Sequence, residues 1–255
     1  MQAQAGIILA DLQYPNDNPV LLNNVEKYMA SRRWDFLVYL GDMLDMDAIS
    51  HHAMESGEFR ALEGKRLKKD YEAFEKILRR HRKIVGRECQ VYYFFGNHEE
   101  WASRLIDHMP TLEGFIEPEN NLPFEELKIK VIPPRQVMKI GNLHFIHGDI
   151  DKGSFGSIHH AKKVVDLYGR SVVYGDKHTQ QVFTKASPLG IKDTHAAWAI
   201  PCLADTQPKW NRGKPTAWIN GFGVFYIRDD RNFNLYTIVA VDNVFTCPSG
   251  YTYGN

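Results

Sequence analysis

Asp11, Asp42, Asp45, His98, His147, Asp176 and His178 have side chains that hold divalent cations or move protons, and each lies just past a short apolar run. Residues 7–10 (Ile-Ile-Leu-Ala) lead into Asp11-Leu12-Gln13, and residues 36–40 lead into Gly41-Asp42-Met43-Leu44-Asp45. Residues 91–95 lead into Gly96-Asn97-His98-Glu99, residues 143–146 into His147-Gly148-Asp149, and residues 172–174 into Gly175-Asp176-Lys177-His178. Two divalent ions about 4 Å apart can clamp a phosphoryl group, activate a bridging water and stabilise charge during in-line displacement. Such a pair needs a shared carboxylate plus several oxygen and nitrogen ligands, and this set supplies them. Singly the motifs are weak: Gly-Asp-x-x-Asp also suits a strand-to-loop turn with a helix cap, and His-Gly-Asp is commonly a turn. Their recurrence in order is the signal.

Elements must bring these residues together. Short two-sided runs of Val, Ile, Tyr and Phe suit strands buried on both faces. Strands lying side by side converge their carboxyl ends on one edge, where open sheets bind ligands. Residues 20–32 carry Leu21, Leu22, Val25, Tyr28 and Met29 at helical spacing, which predicts a crossover helix between parallel strands. Residues 63–85 predict a second helix, with a Lys/Arg coat read as a solvated face. Residues 114–134, acidic and proline-bearing, read as a surface excursion. Beyond His178 the pattern alternates. Segments 223–227 and 234–241 flank Asp229-Asp230-Arg231-Asn232 as an antiparallel hairpin, and a second sheet packed on the first is expected.

The length of 255 residues suits one domain, 1–255, with no repeat or linker dividing it. A formal charge of zero gives no global reason for tight nonspecific nucleic-acid binding. Cys89, Cys202 and Cys247 are odd in number and unpaired in spacing, and the start of the chain lacks a basic-then-apolar leader pattern. The expectation is a cytoplasmic protein without a membrane span.

Asp11, Gly41-Asp42-x-x-Asp45, Gly96-Asn97-His98-Glu99, His147 and Gly175-Asp176-Lys177-His178 together resemble the calcineurin-like metallophosphoesterase superfamily. Asp11-Leu12-Gln13-Tyr14-Pro15, the run after Gly41 and Trp218-Ile219-Asn220-Gly221-Phe222 look most like bacteriophage and prophage members. The resemblance implies an α/β, four-layer αββα sandwich of two mixed sheets flanked by helices, with a metal site at the carboxyl ends of the strands. Carried over by position, Asp11, Asp42 and His178 would hold one ion, with Gln13 where the family has histidine. Asp42 would bridge to a second ion held by Asn97, His147 and Asp176, the last again replacing a histidine. His98 would protonate the leaving oxygen and Asp45 would orient it. Gln13 can instead hydrogen-bond a metal-bound water. Both departures exchange imidazole nitrogen for oxygen, which favours Mn²⁺ or Mg²⁺ over Zn²⁺; Fe and Ni are the other candidates.

The implied activity is hydrolysis of phosphomonoesters or phosphodiesters, as a phosphatase or nuclease, on a nucleotide or nucleic acid such as DNA. The alternative is a catalytically weak scaffold that uses the fold for binding. Met46 stands where the protein serine/threonine phosphatases of the superfamily carry arginine, against a phosphoprotein substrate. His51 and Arg104 are candidate substrate contacts, and Trp210, Arg212 and Lys214 join a stacking surface to positive charge. His159 and His160 read as structural.

Overall fold

The computed structural model describes residues 3–57, 59–149, 158–190, 193–208 and 213–254, with backbone alone for residues 51, 52, 54, 59 and 61. In chain order the elements begin β1 (Gln4–Leu9), α1 (Pro19–Ala30), β2 (Phe36–Tyr39), α2 (His51–Ser56), α3 (Leu67–Val85), β3 (Gln90–Phe94), α4 (Glu100–His108), α5 (Pro118–Asn121) and β4 (Ile129–Ile132). They continue β5 (Met138–Ile140), β6 (Leu143–Phe145), α6 (His160–Tyr168), β7 (Val172–Tyr174), β8 (Gln181–Lys185), β9 (His195–Ala199), β10 (Gly221–Ile227), β11 (Phe233–Val239), β12 (Phe245–Thr246) and β13 (Thr252–Tyr253).

Helix α1 starts where its sequence stops competing with itself. Asn18 accepts a hydrogen bond from the Leu21 amide at 3.1 Å, and Pro19 occupies the first turn, where a missing N–H costs nothing. The second helix begins at Leu67, later than the expected residue 63, because Gly64 sits at φ +78° and breaks the run. Its apolar stripe of Tyr71, Phe74, Ile77 and Leu78 packs with α1 on one face of a sheet ordered β11-β10-β1-β2-β3-β4. Between that sheet and a second, ordered β5-β6-β7-β9-β8, lie Ile8, Val38, Phe94, Leu143, Phe145, Val173 and Phe225. Helix α6 covers the outer face of the second sheet through Ala161, Val164 and Val165. The result is the expected four-layer αββα sandwich.

Two expectations need correction. The hairpin β10–β11 forms, but it adds antiparallel beside β1 to the first sheet, whereas β6 and β7 belong to the second. Alternation along a strand reveals its buried faces and not which sheet receives it. The excursion 114–134 also contains α5 and β4, and β4 extends the first sheet parallel to β3 with Ile129 and Ile132 buried. Four residues are too few for periodicity to show.

Candidate metal centre

Strands β1, β2, β3, β6 and β7 all end at one edge of the sandwich, so the residues after them share a small volume. The turns that accomplish this are strained. Among the described residues eleven non-glycines have φ in the left-handed region, and five of them are the proposed ligands Asp11, Gln13, Asp42, Asp176 and His178. Such a conformation costs on the order of 1 kcal/mol each and persists only where surroundings enforce it. Here the enforcement is mutual. The Asp11 amide donates to Gly41 O at 3.1 Å, the Gln13 amide to Asp42 O at 3.0 Å, and the Asp176 amide to both carboxylate oxygens of Asp11 at 3.0 and 3.1 Å.

Asp11, Asp42 and His147 are all buried, and each offers a ligand atom within 4.8 Å of the others. Two flanks extend this trio. On one side His178 Nε2 stands 3.4 Å from Asp11 Oδ1, and Gln13 Nε2 lies 3.4 Å from Asp42 Oδ2. On the other, His147 Nε2 lies 3.4 Å from Asp42 Oδ1, 3.3 Å from Asn97 Oδ1 and 3.9 Å from Asp176 Oδ1. The Nδ1 of His147 is 2.8 Å from Leu40 O and donates to it, which turns Nε2 toward the carboxylates. A cation fits this donor set. His178 Nδ1 is buried without a hydrogen-bond partner among the described residues, and a Cβ at Gly96 would overlap Asp42 Oδ1 and come within 2.7 Å of His147 Nε2.

His98 and Asp45 form a separate pair at the margin of the trio. His98 Nδ1 reaches Asp45 Oδ1 at 3.0 Å and Asp45 O at 2.8 Å, which turns Nε2 toward Asp42 Oδ2, 3.9 Å away. Trp101 stacks on the ring at 4.1 Å. Burial alone would lower the His98 pKa, but the Asp42 carboxylate and then Asp45 push it up to about 10. For Asp42, burial works upward and the charges of His147 and His98 outweigh it, holding the carboxylate well below its usual range. Asp11 moves the other way: burial raises it and His178 only partly compensates.

Glu99 has a role that motif reading missed. Its buried carboxylate accepts from the amides of Asp42 (3.1 Å), Met43 (2.9 Å), Leu44 (3.1 Å) and Gly96 (2.9 Å) and from the Tyr93 hydroxyl (2.9 Å). It ties the loop after β2 to the loop after β3 and holds Asp42 in its left-handed turn. A glutamate adjoining a histidine in a polar motif gave no sign of facing inward. A cavity of about 780 Å³ opens over the centre and is lined by Gln13, Asp42, Asn97, His98, Asp176 and His178, with Trp218, Lys65 and Asp47 toward the outside. Trp218 meets His178 edge-on at 4.1 Å, and Lys65 pairs with Asp47 at 2.5 Å.

The other sequence candidates are placed less favourably. Arg104 donates to Glu100 at 2.6 Å, in company with Arg135, and does not line the cavity; the helix that carries it, α4, satisfies the guanidinium within its own turn. Lys214 is exposed and outside the lining, while Trp210 and Arg212 lie outside the described residues. The backbone of His51 begins α2, and its side chain is likewise outside the described set. His160 is structural as expected: its Nδ1 meets Tyr174 OH at 2.6 Å and its Nε2 meets Thr179 Oγ1 at 3.1 Å.

No family model matches the chain, and no curated protein does. Solved structures similar to it include Vacuolar Protein Sorting 29 from Cryptosporidium parvum, with 14% identity, 96% of each chain covered and a TM-score of 0.49. A metallophosphoesterase from Sphaerobacter thermophilus shows 14% identity over 91% of this chain and 88% of its own, with a TM-score of 0.42. The nuclease MPE of Pseudomonas putida shows 13% identity over 87% and 84%, with a TM-score of 0.37. At these scores the likenesses carry no argument about activity, which rests on this chain's own residues. Among the described residues no helix is long and apolar enough to cross a membrane.

Proposed function

We propose that this protein is a divalent-metal-dependent phosphoesterase of the calcineurin-like kind, hydrolysing phosphate esters of nucleotides or nucleic acids. The observation that carries the proposal is the convergence of Asp11, Asp42 and His147 within 4.8 Å beneath an open cavity, with an oriented imidazole at its margin. Asp11, Gln13 and His178 would hold one ion, Asn97, His147 and Asp176 a second, and Asp42 would be shared. Bound there, divalent ions supply Lewis acidity toward the phosphoryl oxygens and lower the pKa of water. Manganese is the favoured ion because the donor set is rich in carboxylate and amide oxygen.

The protein's own groups then divide the remaining work. Asp45 accepts the Nδ1 proton of His98 and fixes the ring plane, and the Asp42 and Asp45 carboxylates favour the imidazolium form, so that Nε2 carries a second proton toward the cavity. That proton passes to the leaving-group oxygen as the ester bond breaks. Stacking on Trp101 keeps the ring from rotating out of this position. Lys65 at the mouth offers the ester a positive charge, tempered by Asp47.

The test is hydrolysis of bis(p-nitrophenyl) phosphate, p-nitrophenyl phosphate and labelled single- and double-stranded DNA, with metal content measured in parallel. Metal-dependent turnover of at least one substrate is expected. A protein that retains two ions per chain and hydrolyses none of them is a binding scaffold, and the proposal fails.

A further inference from the structure

At the edge of the second sheet where β6, β7 and β9 begin, next to the turn between β10 and β11, lies a second polar cavity remote from the metal centre. Along β6, Leu143 and Phe145 face the space between the sheets, so His144 between them points outward. The same alternation turns Lys139, the cross-strand partner of His144, outward between Met138 and Ile140. On β9, Ala197 and Ala199 lie under α6, which places His195 on that same face. Helix α6 ends at Tyr168 with Gly169 as its cap, and Arg170 follows, so the helix leaves this part of the sheet uncovered. Lys139, His144, Arg170 and His195 all line a cavity of about 410 Å³ there.

These basic groups lack compensation. Among the described residues no ion pair is formed by Lys139 or Arg170, and Arg170 donates to the Gly169 carbonyl at 2.8 Å. Asp193 is the one carboxylate among the lining residues. Burial, and after it the fields of Lys139, Arg170 and His195, hold the His144 pKa below its usual value, as expected where cations face one another across unfilled space. His144 Nδ1 lies 3.2 Å from Ser171 O and so donates there, leaving Nε2 as the nitrogen without a hydrogen-bond partner among the described residues. Phe233, held edge-on against Trp198 at 5.6 Å, supplies an apolar wall.

We infer that this cavity binds a small phosphate-bearing anion of about mononucleotide size, separate from the substrate of the metal centre. Two cations and two imidazoles match a phosphate group, whose second ionisation lies near pH 6. The volume exceeds what inorganic phosphate fills and falls within the range of small-ligand pockets. From Arg170 to Asp176 the chain climbs one strand length, roughly 20 Å at strand rise, so the two anions would not touch.

The experiment follows the ring resonances of His144 and His195 by NMR in the full-length, Mg²⁺-loaded protein during titration with inorganic phosphate and with adenosine monophosphate. Saturable shifts are expected, with the nucleotide binding at least as tightly as phosphate and with Kd below about 1 mM. In a Lys139→Ala/Arg170→Ala variant the affinity should fall at least tenfold while the melting temperature and metal content stay unchanged. Absence of saturable shifts with either anion overturns the proposal, as does equal affinity in the variant. Shifts produced by a single-stranded oligonucleotide alone would overturn it too. The readout needs no turnover, so it stands or falls independently of the activity proposed for the metal centre.

Discussion

The first sheet positions two buried histidine–carboxylate constellations, and they differ in what they leave unsatisfied. On its helical side, His81 is fully buried with both ring nitrogens engaged: Nδ1 meets Tyr39 OH at 2.9 Å and Nε2 meets Glu26 Oε1 at 2.9 Å, while Arg80 closes the carboxylate from outside. Among the described residues, none of these four has a left-handed backbone and none lines the cavity over the metal centre. At the strand ends, three residues beyond Tyr39, Asp42 faces Asp11 across a site where, among the described residues, a buried nitrogen of His178 has no hydrogen-bond partner and five ligand candidates hold strained turns. Burial of charge is common to both. Only the second has spare donor atoms aimed at shared space, and that residual demand distinguishes a site for a cation from a structural network.

The sharpest way to break the comparison is to alter one member of each constellation. His98→Ala should lower turnover of esters with poor leaving groups by about 10²–10⁴-fold, the range associated with a positioned proton donor, and Asp42→Asn should lower it by weakening the metal pair. They should part on metal content. Elemental analysis is expected to show normal stoichiometry in His98→Ala and loss of metal in Asp42→Asn, because only Asp42 is shared by both flanks of the centre. Normal stoichiometry in Asp42→Asn would show that it is no bridge, and metal loss in His98→Ala would make it a ligand.

Much of this centre is legible in the sequence because its residues sit at fixed offsets past apolar runs. Asp11, Asp42, Asn97, His147 and His178 come together as the strand ends demand, and Asp45 reaches His98 through a turn three residues long. What escapes is whatever depends on tertiary direction. Glu99 looks like a solvated helix-start residue until its carboxylate is seen accepting from two loops, and Trp101 looks like ordinary core until its ring lies on His98. Arg104 fails for the opposite reason: its charge is plain in sequence, but the partner four positions earlier, Glu100, absorbs it. Sheet membership of β10 and β11 is likewise a property of packing that alternation alone cannot encode.

Glu99 sharpens the contrast, since it is a saturated group in the service of an unsaturated one. Glu99→Gln keeps the size but offers an amide N–H to backbone donors, so at least one of the contacts that fix the Asp42 turn is lost. Metal affinity should fall about 10–100-fold, the usual cost of disturbing an outer support, with a smaller change in KM for substrate at saturating metal. A titration of Mn²⁺ followed by turnover measures it. Unchanged affinity would mean that the strained turn at Asp42 is held by the strand ends without help from Glu99.

Glu26 supplies the smallest and most discriminating effect. Burial would raise its pKa, but His81 and Arg80 prevail and hold it at about 2, against an ordinary value of 4.5. A carboxylate depressed on folding adds stability that is fully present above its unfolded pKa and is lost as pH falls from about 4.5 toward about 2. With its partly open edge screened by solvent, the contribution should be about 2 kcal/mol. Glu26→Gln should therefore unfold at lower denaturant at neutral pH and show a flatter loss of stability between those two pH values than the parent, while metal content and turnover at neutral pH stay unchanged. Parallel stability curves would remove the charge from the account of the His81 network. A loss of turnover in the folded variant would remove the distinction between the two constellations, because a group satisfied within the protein should have nothing left to contribute to a reaction.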